Sequence, residues 1–252
     1  MRDFFLNKLE IYDDPEFKFD AIKHKYTYDG IDFISVTQFI SRFHKKFDSE
    51  FWSKKKAEER GVDQQLVLKE WQTLNDRANF IGTSTHNWIE NYFNRQFQDL
   101  PNDLDVIDRI NKFNKIYATH LHKLTPIKFE QRIFSKKWKI AGMIDSIFLW
   151  KGNLVMVDYK TNKKFETSNS HGEKLLSPFQ DYDKCHLTEY SIQLSLYKLI
   201  LKEIELDVKV CYLLYIGPDD EAKVHKCHDF SSILEDYLIR LEYLSQITFN
   251  PD

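Results

Sequence analysis

Residues 141–161 read AGMIDSIFLWKGNLVMVDYKT, and this stretch decides the predicted fold. Two apolar runs rich in β-branched residues flank Gly152-Asn153, a pattern typical of a β-hairpin. A two-residue turn at Gly152-Asn153 would place Asp145 opposite Lys160. Because directly paired residues share a face of a sheet, Asp145, Asp158 and Lys160 are predicted to converge at one end of the hairpin. A slip of one residue would move Asp145 to the opposite face.

The charged end of this hairpin lies next to an apolar interior. The strand at residues 154–160 is apolar on both faces, which predicts a strand covered by protein on both sides. One interpretation of the charges is a structural ion pair between Asp145 and Lys160, with Asp158 exposed at the strand end. The other is a divalent-metal site, because Mg²⁺ is held by one or two carboxylates together with water and phosphate oxygens. The hairpin alone leaves both open.

The composition is that of a soluble globular protein. The chain has 252 residues, a length that fits one domain or one domain with a sizeable appendage, and its 42% hydrophobic and 30% charged residues exclude a disordered chain. No apolar run approaches the length of a membrane span. The N-terminus lacks a signal-peptide or transit pattern, so we expect a cytoplasmic protein that does not contact a membrane.

Charge and cysteine content exclude two further classes. The net charge of −3 excludes a uniformly basic nucleic-acid-binding protein. Local lysine clusters nevertheless occur at Lys45-Lys46, Lys54-Lys55-Lys56, Lys136-Lys137 and Lys163-Lys164. The cysteines, Cys185, Cys211 and Cys227, have no C-x-x-C spacing, so this chain alone cannot provide a four-cysteine zinc site or iron–sulfur cluster.

The rest of the sequence predicts an α/β core from residue 104 onward, preceded by a mostly helical part. Residues 1–22 are predicted to be irregular. A hairpin is expected around Asp29-Gly30, and Ser35 is expected to cap the next helix. The other predicted elements are helices at 51–60, 63–93, 104–121, 189–204 and 231–244, and strands at 127–134, 208–216 and 223–228.

Two predicted helices carry candidate functional side chains. Gly82, His86 and Glu90 fall one turn apart on one side of a helix. Glycine in a helix interior costs about 1 kcal/mol relative to alanine, and the space it leaves would let a ligand or strand approach His86. His86 is therefore either a metal ligand or phosphate contact, or part of an ordinary surface His–Glu pair. Gln193 and Tyr197 share one face of a mostly apolar helix, where Gln193 is either bonded to backbone or orients a catalytic group.

Four motifs occur in order over residues 82–197. They are Gly82-Thr83-x-x-His86, Gly142-x-Ile144-Asp145, Asp158-x-Lys160-Thr161 and Gln193-x-x-x-Tyr197. Together they resemble the RecB-type branch of the PD-(D/E)xK nuclease superfamily. Two earlier segments, Ser35-Val36-Thr37 and Trp52-x-Lys54-Lys55-Lys56, resemble exonucleases of tailed phages that are related to the mitochondrial genome maintenance exonuclease.

The resemblance implies an α/β fold with a restriction-endonuclease-like mixed β-sheet flanked by helices and a mostly helical N-terminal part. Residues 1–103 would form an N-terminal hairpin and helical region that carries the His86 motif. Residues 104–252 would form the nuclease core, and the two parts would make one compact unit.

The resemblance also implies a catalytic centre. Asp145 and Asp158 would be the metal-binding carboxylates, with His86 as an extra ligand and the backbone carbonyl of Tyr159 as a further one. Lys160 would position the attacking water and stabilise developing charge.

Other residues would support this centre. Gln193 would orient the Lys160 region, and Tyr197 would contact DNA. Further DNA contacts are expected from Thr161, Lys163 and Lys164. Glu130, which lies where several relatives carry a glutamate on the preceding strand, and Glu90 are accessory candidates.

The implied function is a DNA exonuclease that uses Mg²⁺ or Mn²⁺ and prefers single strands or DNA ends. Relatives with an iron–sulfur cluster need four cysteines, so no such cluster is expected. The protein would act in phage DNA recombination, repair or replication, in the cytoplasm of an infected bacterium, with a recombination or replication protein as partner. The alternatives are a structure-selective endonuclease on the same fold and a non-catalytic DNA-binding protein, although a binding protein has no use for an acidic pair that repels phosphate.

Overall fold

The computed structural model describes residues 1–21, 23–218 and 221–248, with side chains described as far as residue 243. In this part of the chain, eight strands form one mixed sheet that seven α-helices flank. The strands are β1 (Phe17–Asp20), β2 (Lys25–Tyr28), β3 (Ile31–Ser35), β4 (Thr125–Ser135), β5 (Ile140–Trp150), β6 (Asn153–Lys160), β7 (Val208–Tyr215) and β8 (Lys223–Lys226). The helices are α1 (Arg2–Leu9), α2 (Val36–Ile40), α3 (Ser49–Arg60), α4 (Gln64–Phe93), α5 (Leu104–Thr119), α6 (His186–Lys202) and α7 (Ser231–Thr248). The predicted restriction-endonuclease-like α/β architecture is confirmed.

The strand order leaves a gap beside the middle of β5. Neighbours run β1-β2-β3-β5-β6-β7-β8, and β4 pairs with β5 along almost its whole length. β3 and β6 therefore share the other edge of β5, where β3 pairs with Ile140 and Ala141 and β6 pairs with residues 146–150. Among the described residues, no strand pairing reaches residues 142–145 on that edge. Because β3 is parallel and β6 antiparallel to β5, their carboxyl ends face each other across the gap.

The hairpin of β5 and β6 has a different register from the predicted one. The turn is Lys151-Gly152, with φ values of 48° and 83°, and Trp150 pairs with Asn153. The predicted turn at Gly152-Asn153 is therefore wrong, and the register is shifted by two residues. Continuing the observed register places Asp145 opposite Asp158 instead of Lys160. Because side-chain direction repeats every two residues along a strand, the charged residues still share a face.

Both faces of the sheet carry a hydrophobic cluster, as the sequence of β6 predicts. Leu154 and Met156 belong to the cluster that α6 and α7 cover. Val155 and Val157 belong to the cluster that the inner part of α4 and α5 cover. No helix in the described residues has the combination of length and apolar character that crossing a membrane requires.

The first 22 residues are more regular than predicted, since α1 and β1 lie within them. Phe17 of β1 is buried and packs on Tyr26 and Phe134, with ring centroids 5.8 and 4.5 Å away. The strand forms because tertiary contacts override a weak local pattern. The other predicted helices and strands are observed with ends shifted by at most four residues, and Ser35 caps α2 by accepting a hydrogen bond from Gln38 N at 3.1 Å.

The N-terminal helices include a long projecting unit. α4 begins after its Asp63 cap and runs without a break through Gly82. Its N-terminal end packs against α3, and Arg60 and Glu70 join the two helices through two hydrogen bonds of 2.6 and 3.0 Å. Residues 72–80 are exposed throughout. We call α3, the preceding residues 45–48 and residues 64–81 of α4 the arm.

Candidate active site

Three potential metal ligands converge beside the gap in the sheet. They are His86 from α4, Glu130 from β4 and Asp145 from β5, whose ligand atoms lie within 4.8 Å of one another. His86 Nδ1 lies 3.6 Å from Glu130 Oε1 and 3.6 Å from Asp145 Oδ2. One imidazole and two carboxylates form a donor set that divalent cations bind.

Glu130 reaches this centre through an unusual backbone conformation. Its φ is 46°, in the left-handed region that a non-glycine residue in a strand rarely adopts. The pairs Phe129–Ser146 and Gln131–Ile144 flank it, so Glu130 faces Asp145 on the neighbouring strand. Such a conformation costs about 1–3 kcal/mol and is concentrated at functional sites. Glu130, an accessory candidate from the sequence, is therefore a central member of the group.

The carboxylate of Asp145 is fixed where the hairpin ladder ends. The last β5–β6 pair is Ser146–Val157, and beyond it Tyr159 N donates a hydrogen bond to Asp145 Oδ2 at 2.8 Å. The Asp145 carboxylate thus accepts the hydrogen bond that a backbone carbonyl of β5 would accept if the ladder continued. This bond holds the Asp145 side chain at the edge of the gap. Burial raises the pKa of Asp145, although the neighbouring His86 opposes the shift.

Asp158 is buried next to Lys160. Its exposed fraction is 1%, and Lys160 Nζ lies 2.8 Å from its Oδ2. Neither carboxylate oxygen accepts a hydrogen bond of good geometry from the described residues, so the contact is ionic. Burial and the charge of Asp145 raise the pKa of Asp158 to about 6. The structural interpretation, in which Asp158 is exposed and Lys160 pairs with Asp145, is wrong. A buried carboxylate that has an ionic contact but accepts no hydrogen bond fits a site that receives a cation.

The protonation of His86 fits the same conclusion. His86 Nε2 lies 3.0 Å from the Tyr159 carbonyl oxygen. A carbonyl can only accept, so Nε2 carries the proton and Nδ1 faces the carboxylates. Burial alone would lower the pKa of His86, but Asp145 and Glu130 outweigh it and raise the pKa to about 9. Metal-ligating histidines commonly donate their second N–H to a carbonyl in this way.

Lys160 has a second neighbour that the sequence did not identify. Its ammonium lies 4.2 Å from the centroid of the Tyr190 ring, and Tyr190 OH accepts a hydrogen bond from Asn162 Nδ2 at 2.8 Å. Burial alone would lower the pKa of Lys160, but Asp158 and Asp145 outweigh it and raise the pKa. The signal for Tyr190 is its spacing, because residues 190, 193 and 197 share one face of α6.

Gln193 and Tyr197 form a buried pair in α6. Gln193 Nε2 donates to Tyr197 OH at 3.1 Å, and Tyr197 is only 3% exposed. A side chain at Gly142 would place its Cβ 2.6 Å from Tyr197 Cε1, so this glycine makes room for the ring. The predicted contact between Tyr197 and DNA disagrees with this burial. The side chain of Gln193 donates its hydrogen bond to Tyr197. That Gln193 orients the Lys160 region stays a prediction.

The remaining predicted residues lie around the centre. Thr161 Oγ1 would be 3.3 Å from a Cβ at Gly82, so the space at this glycine is taken by the end of β6. Glu90 lies with Glu130 along a groove of about 400 Å³. Lys163 and Lys164 are exposed after β6. Their contacts with DNA, and the Tyr159 carbonyl as a metal ligand, stay predictions.

Comparisons with known proteins agree with this centre. The sequence profile of the PD-(D/E)XK nuclease superfamily matches residues 38–246. The RecBCD enzyme subunit RecB of Buchnera aphidicola subsp. Baizongia pistaciae (strain Bp) is 27% identical over 169 residues, which is 63% of this chain and 13% of RecB. The chain thus spans a small fraction of that relative, and the similarity agrees with the predicted RecB-type branch.

A solved structure described as "Crystal structure of SSO0001" aligns with 95% of this chain and 85% of its own, at 15% identity. Its TM-score of 0.30 is too low to bear on the fold. The family therefore rests on the profile match, which covers most of the chain and all four motifs. From the match, with which the His86–Glu130–Asp145 group and the Asp158–Lys160 pair agree, the chain belongs to the PD-(D/E)XK nuclease superfamily.

Proposed function

We propose that this protein is a divalent-metal-dependent DNA exonuclease that hydrolyses phosphodiester bonds, preferring single-stranded DNA or DNA ends. The observation that carries the proposal is the convergence of His86, Glu130 and Asp145 within 4.8 Å. The Asp158–Lys160 pair, with 2.8 Å between Nζ and Oδ2, lies on the same side of the hairpin. This arrangement combines negative ligands for a cation with a fixed ammonium group.

His86, Glu130, Asp145 and Asp158 would hold the metal, Mg²⁺ or Mn²⁺. When bound, such an ion lowers the pKa of a bound water and offsets charge on the phosphate. Burial, followed by the charges of neighbouring carboxylates, raises the pKa of Asp145 and of Asp158, and Asp145 and Glu130 raise the pKa of His86 to about 9, so the ligand set is rich in negative charge.

Lys160 is held for electrostatic stabilisation. Asp158 contacts one side of its ammonium and the Tyr190 ring another, so the charge is oriented before substrate arrives. A preorganised cation in a water-poor site stabilises charge that develops on a phosphate more strongly than a mobile surface lysine does. Asp158 thereby has two functions, as metal ligand and as the group that positions Lys160.

The exonuclease assignment has a separate basis in the N-terminal sequence. It follows the resemblance of Ser35-Val36-Thr37 and the Trp52 segment to tailed-phage exonucleases. The same resemblance supports action in phage DNA recombination, repair or replication, in the cytoplasm of an infected bacterium and beside a recombination or replication protein. Residues 1–103 and 104–252 would act as one unit, since His86 from the first completes the centre in the second.

The test uses linear single-stranded DNA labelled at the 5′ or 3′ end, circular single-stranded DNA, and Mg²⁺, Mn²⁺ or EDTA. We expect cleavage of linear strands only, abolished by EDTA and in Asp158→Ala. Cleavage of circles would replace the proposal with a structure-selective endonuclease. Binding without cleavage by the wild-type protein would replace it with a non-catalytic DNA-binding protein.

A further inference from the structure

The arm exposes large aromatic side chains. Phe47, Phe51 and Trp52 are 63%, 56% and 45% exposed. Phe51 and Trp52 pack edge to face at 5.3 Å, and Phe47 packs on Trp71 of α4 at 6.1 Å between centroids. We call these four residues the aromatic platform. A group of neighbouring exposed aromatic rings is a candidate binding surface, because exposed apolar groups that cluster are less common than isolated ones.

Lysines are interleaved with this platform. Between Lys45 and Lys56 there are five lysines and two carboxylates, which gives a net charge of +3 in a chain whose total is −3. Lys55 Nζ lies 5.2 Å above the Trp52 ring, and Lys56 pairs with Glu59. The stretch therefore combines positive charge with exposed rings, although the protein as a whole is acidic.

From this combination we infer that the aromatic platform binds a single-stranded segment of the nucleic-acid substrate. The rings would stack on unpaired bases and the lysines would contact phosphates, which is how proteins hold single strands without reading sequence. A duplex does not offer its base faces, so it cannot use the rings. This inference rests on the proposed function for the identity of the ligand and concerns a surface outside the catalytic centre.

The position of the platform sets a length requirement. Trp71 and His86 lie on the same continuous helix, α4, fifteen residues apart. At a rise of about 1.5 Å per residue this is roughly 22 Å. A strand as compact as one strand of a duplex, at about 3.4 Å per nucleotide, needs six or seven nucleotides to cover that distance, and a fully extended strand, at roughly twice that spacing, needs three or four. A substrate shorter than this would reach the catalytic centre without contacting the platform.

The first experiment measures binding in EDTA, where no cleavage occurs. Fluorescence anisotropy would compare a 20-nucleotide single strand and a 20-base-pair duplex with the wild-type protein, Trp52→Ala, Phe51→Ala and the control Phe97→Ala. Phe97 is exposed and lies outside the arm. Loss of one stacked base should weaken single-strand binding by roughly 5- to 150-fold, with no change for the duplex or for Phe97→Ala. Unchanged single-strand affinity in both arm variants, as a protein-docking surface would give, overturns the inference, and so does equal weakening for both DNA forms.

The second experiment measures cleavage with Mg²⁺ or Mn²⁺ on strands of 3 and 20 nucleotides, since the shorter strand cannot cover this distance even when extended. Trp52→Ala should raise KM for the longer strand only and leave kcat unchanged, while thermal unfolding confirms that the variant is folded. An equal effect on both lengths overturns the inference. If the wild-type protein cleaves neither strand, the proposed function fails, whereas the binding experiment still decides whether the platform holds single strands.

Discussion

The catalytic centre and the arm place charged and aromatic groups in opposite ways. In the centre, the side chains of Lys160 and Asp158 are 16% and 2% exposed, and Lys160 is held between Asp158 and the Tyr190 ring. In the arm, Phe51 and Trp52 lie on α3 and are 56% and 45% exposed. The difference corresponds to two tasks. Chemistry needs groups fixed before the substrate arrives, whereas holding a flexible strand needs surface that the strand can reach.

The largest predicted effect is on kcat in a Lys160 variant, which should lose catalysis and keep strand binding. Lys160→Ala should lower kcat by about 100- to 1000-fold, because it removes a preorganised cation from a buried site. Binding of a 20-nucleotide strand in EDTA should change little, since the arm is intact. Single-turnover cleavage and anisotropy measure the two quantities. Lys151→Ala, at the turn of the same hairpin, is the matched control, and retention of full activity by Lys160→Ala would contradict the assignment.

A second prediction concerns metal binding and pH. The pKa of His86 is raised to about 9, so between pH 7 and 9 the metal-free protein carries a proton that a metal must displace. Metal affinity should therefore rise with pH by about tenfold per unit over this range and level off above it. Titration calorimetry with Mn²⁺ in buffers of different ionisation enthalpy measures the released proton.

The control for that titration is His86→Gln, which should bind Mn²⁺ more weakly and lose most of the pH dependence. The arm contains none of the metal ligands, so Trp52→Ala should match the wild-type protein. Metal binding without proton release at pH 7 would show that His86 keeps its proton when the metal binds, and therefore that His86 is not a ligand.

A third prediction tests how Lys160 is positioned. Replacing the Tyr190 ring by Leu should lower kcat by about 30-fold, corresponding to about 2 kcal/mol for a desolvated cation–π contact. Tyr190→Phe keeps the ring above the ammonium and loses only the hydrogen bond from Asn162, so its kcat should stay near that of the wild-type protein. KM should be similar in both variants. Equal kcat values for Leu and Phe would mean that the ring acts only by filling space.

Much of this centre could be predicted because its motifs depend on local periodicity. The predicted hairpin register was wrong by two residues, yet Asp145 and Asp158 still share a face, because side-chain direction has a period of two. The helical spacing of Gly82 and His86 likewise holds in α4. Predictions of this kind survive small errors in turn position.

Features that depend on distant parts of the chain could not be predicted. The gap beside β5 arises because β3, more than 100 residues earlier, pairs with Ile140 and Ala141. The left-handed conformation of Glu130 has no local signal, since no glycine or turn sequence surrounds it. The contact of Tyr190 with Lys160 joins two elements across a long connection. Such features follow from tertiary packing, which a single sequence does not specify by pattern.

The smallest predicted effects concern stability and compare two glycines with one exposed leucine. Gly142→Ala should lower the free energy of unfolding by about 1–3 kcal/mol, because the new Cβ would lie 2.6 Å from Tyr197 Cε1 and the buried ring has no space to move. Gly82→Ala is the matched substitution in α4. There the nearest atom is Thr161 Oγ1 at 3.3 Å, and a gain in helix propensity of up to about 1 kcal/mol offsets the contact.

In the arm, Leu74→Ala should change the free energy of unfolding by no more than about 0.5 kcal/mol, because Leu74 is 66% exposed and packs on little that folding buries. Urea denaturation of Gly142→Ala, Gly82→Ala and Leu74→Ala measures the loss in free energy of unfolding for each variant. A large loss in Leu74→Ala would mean that the outer part of α4 is covered by protein in solution, for example by a second copy of the chain. The surface available to a single strand would then be smaller than the exposed rings of the arm indicate, and the division between a fixed centre and an open arm would not hold.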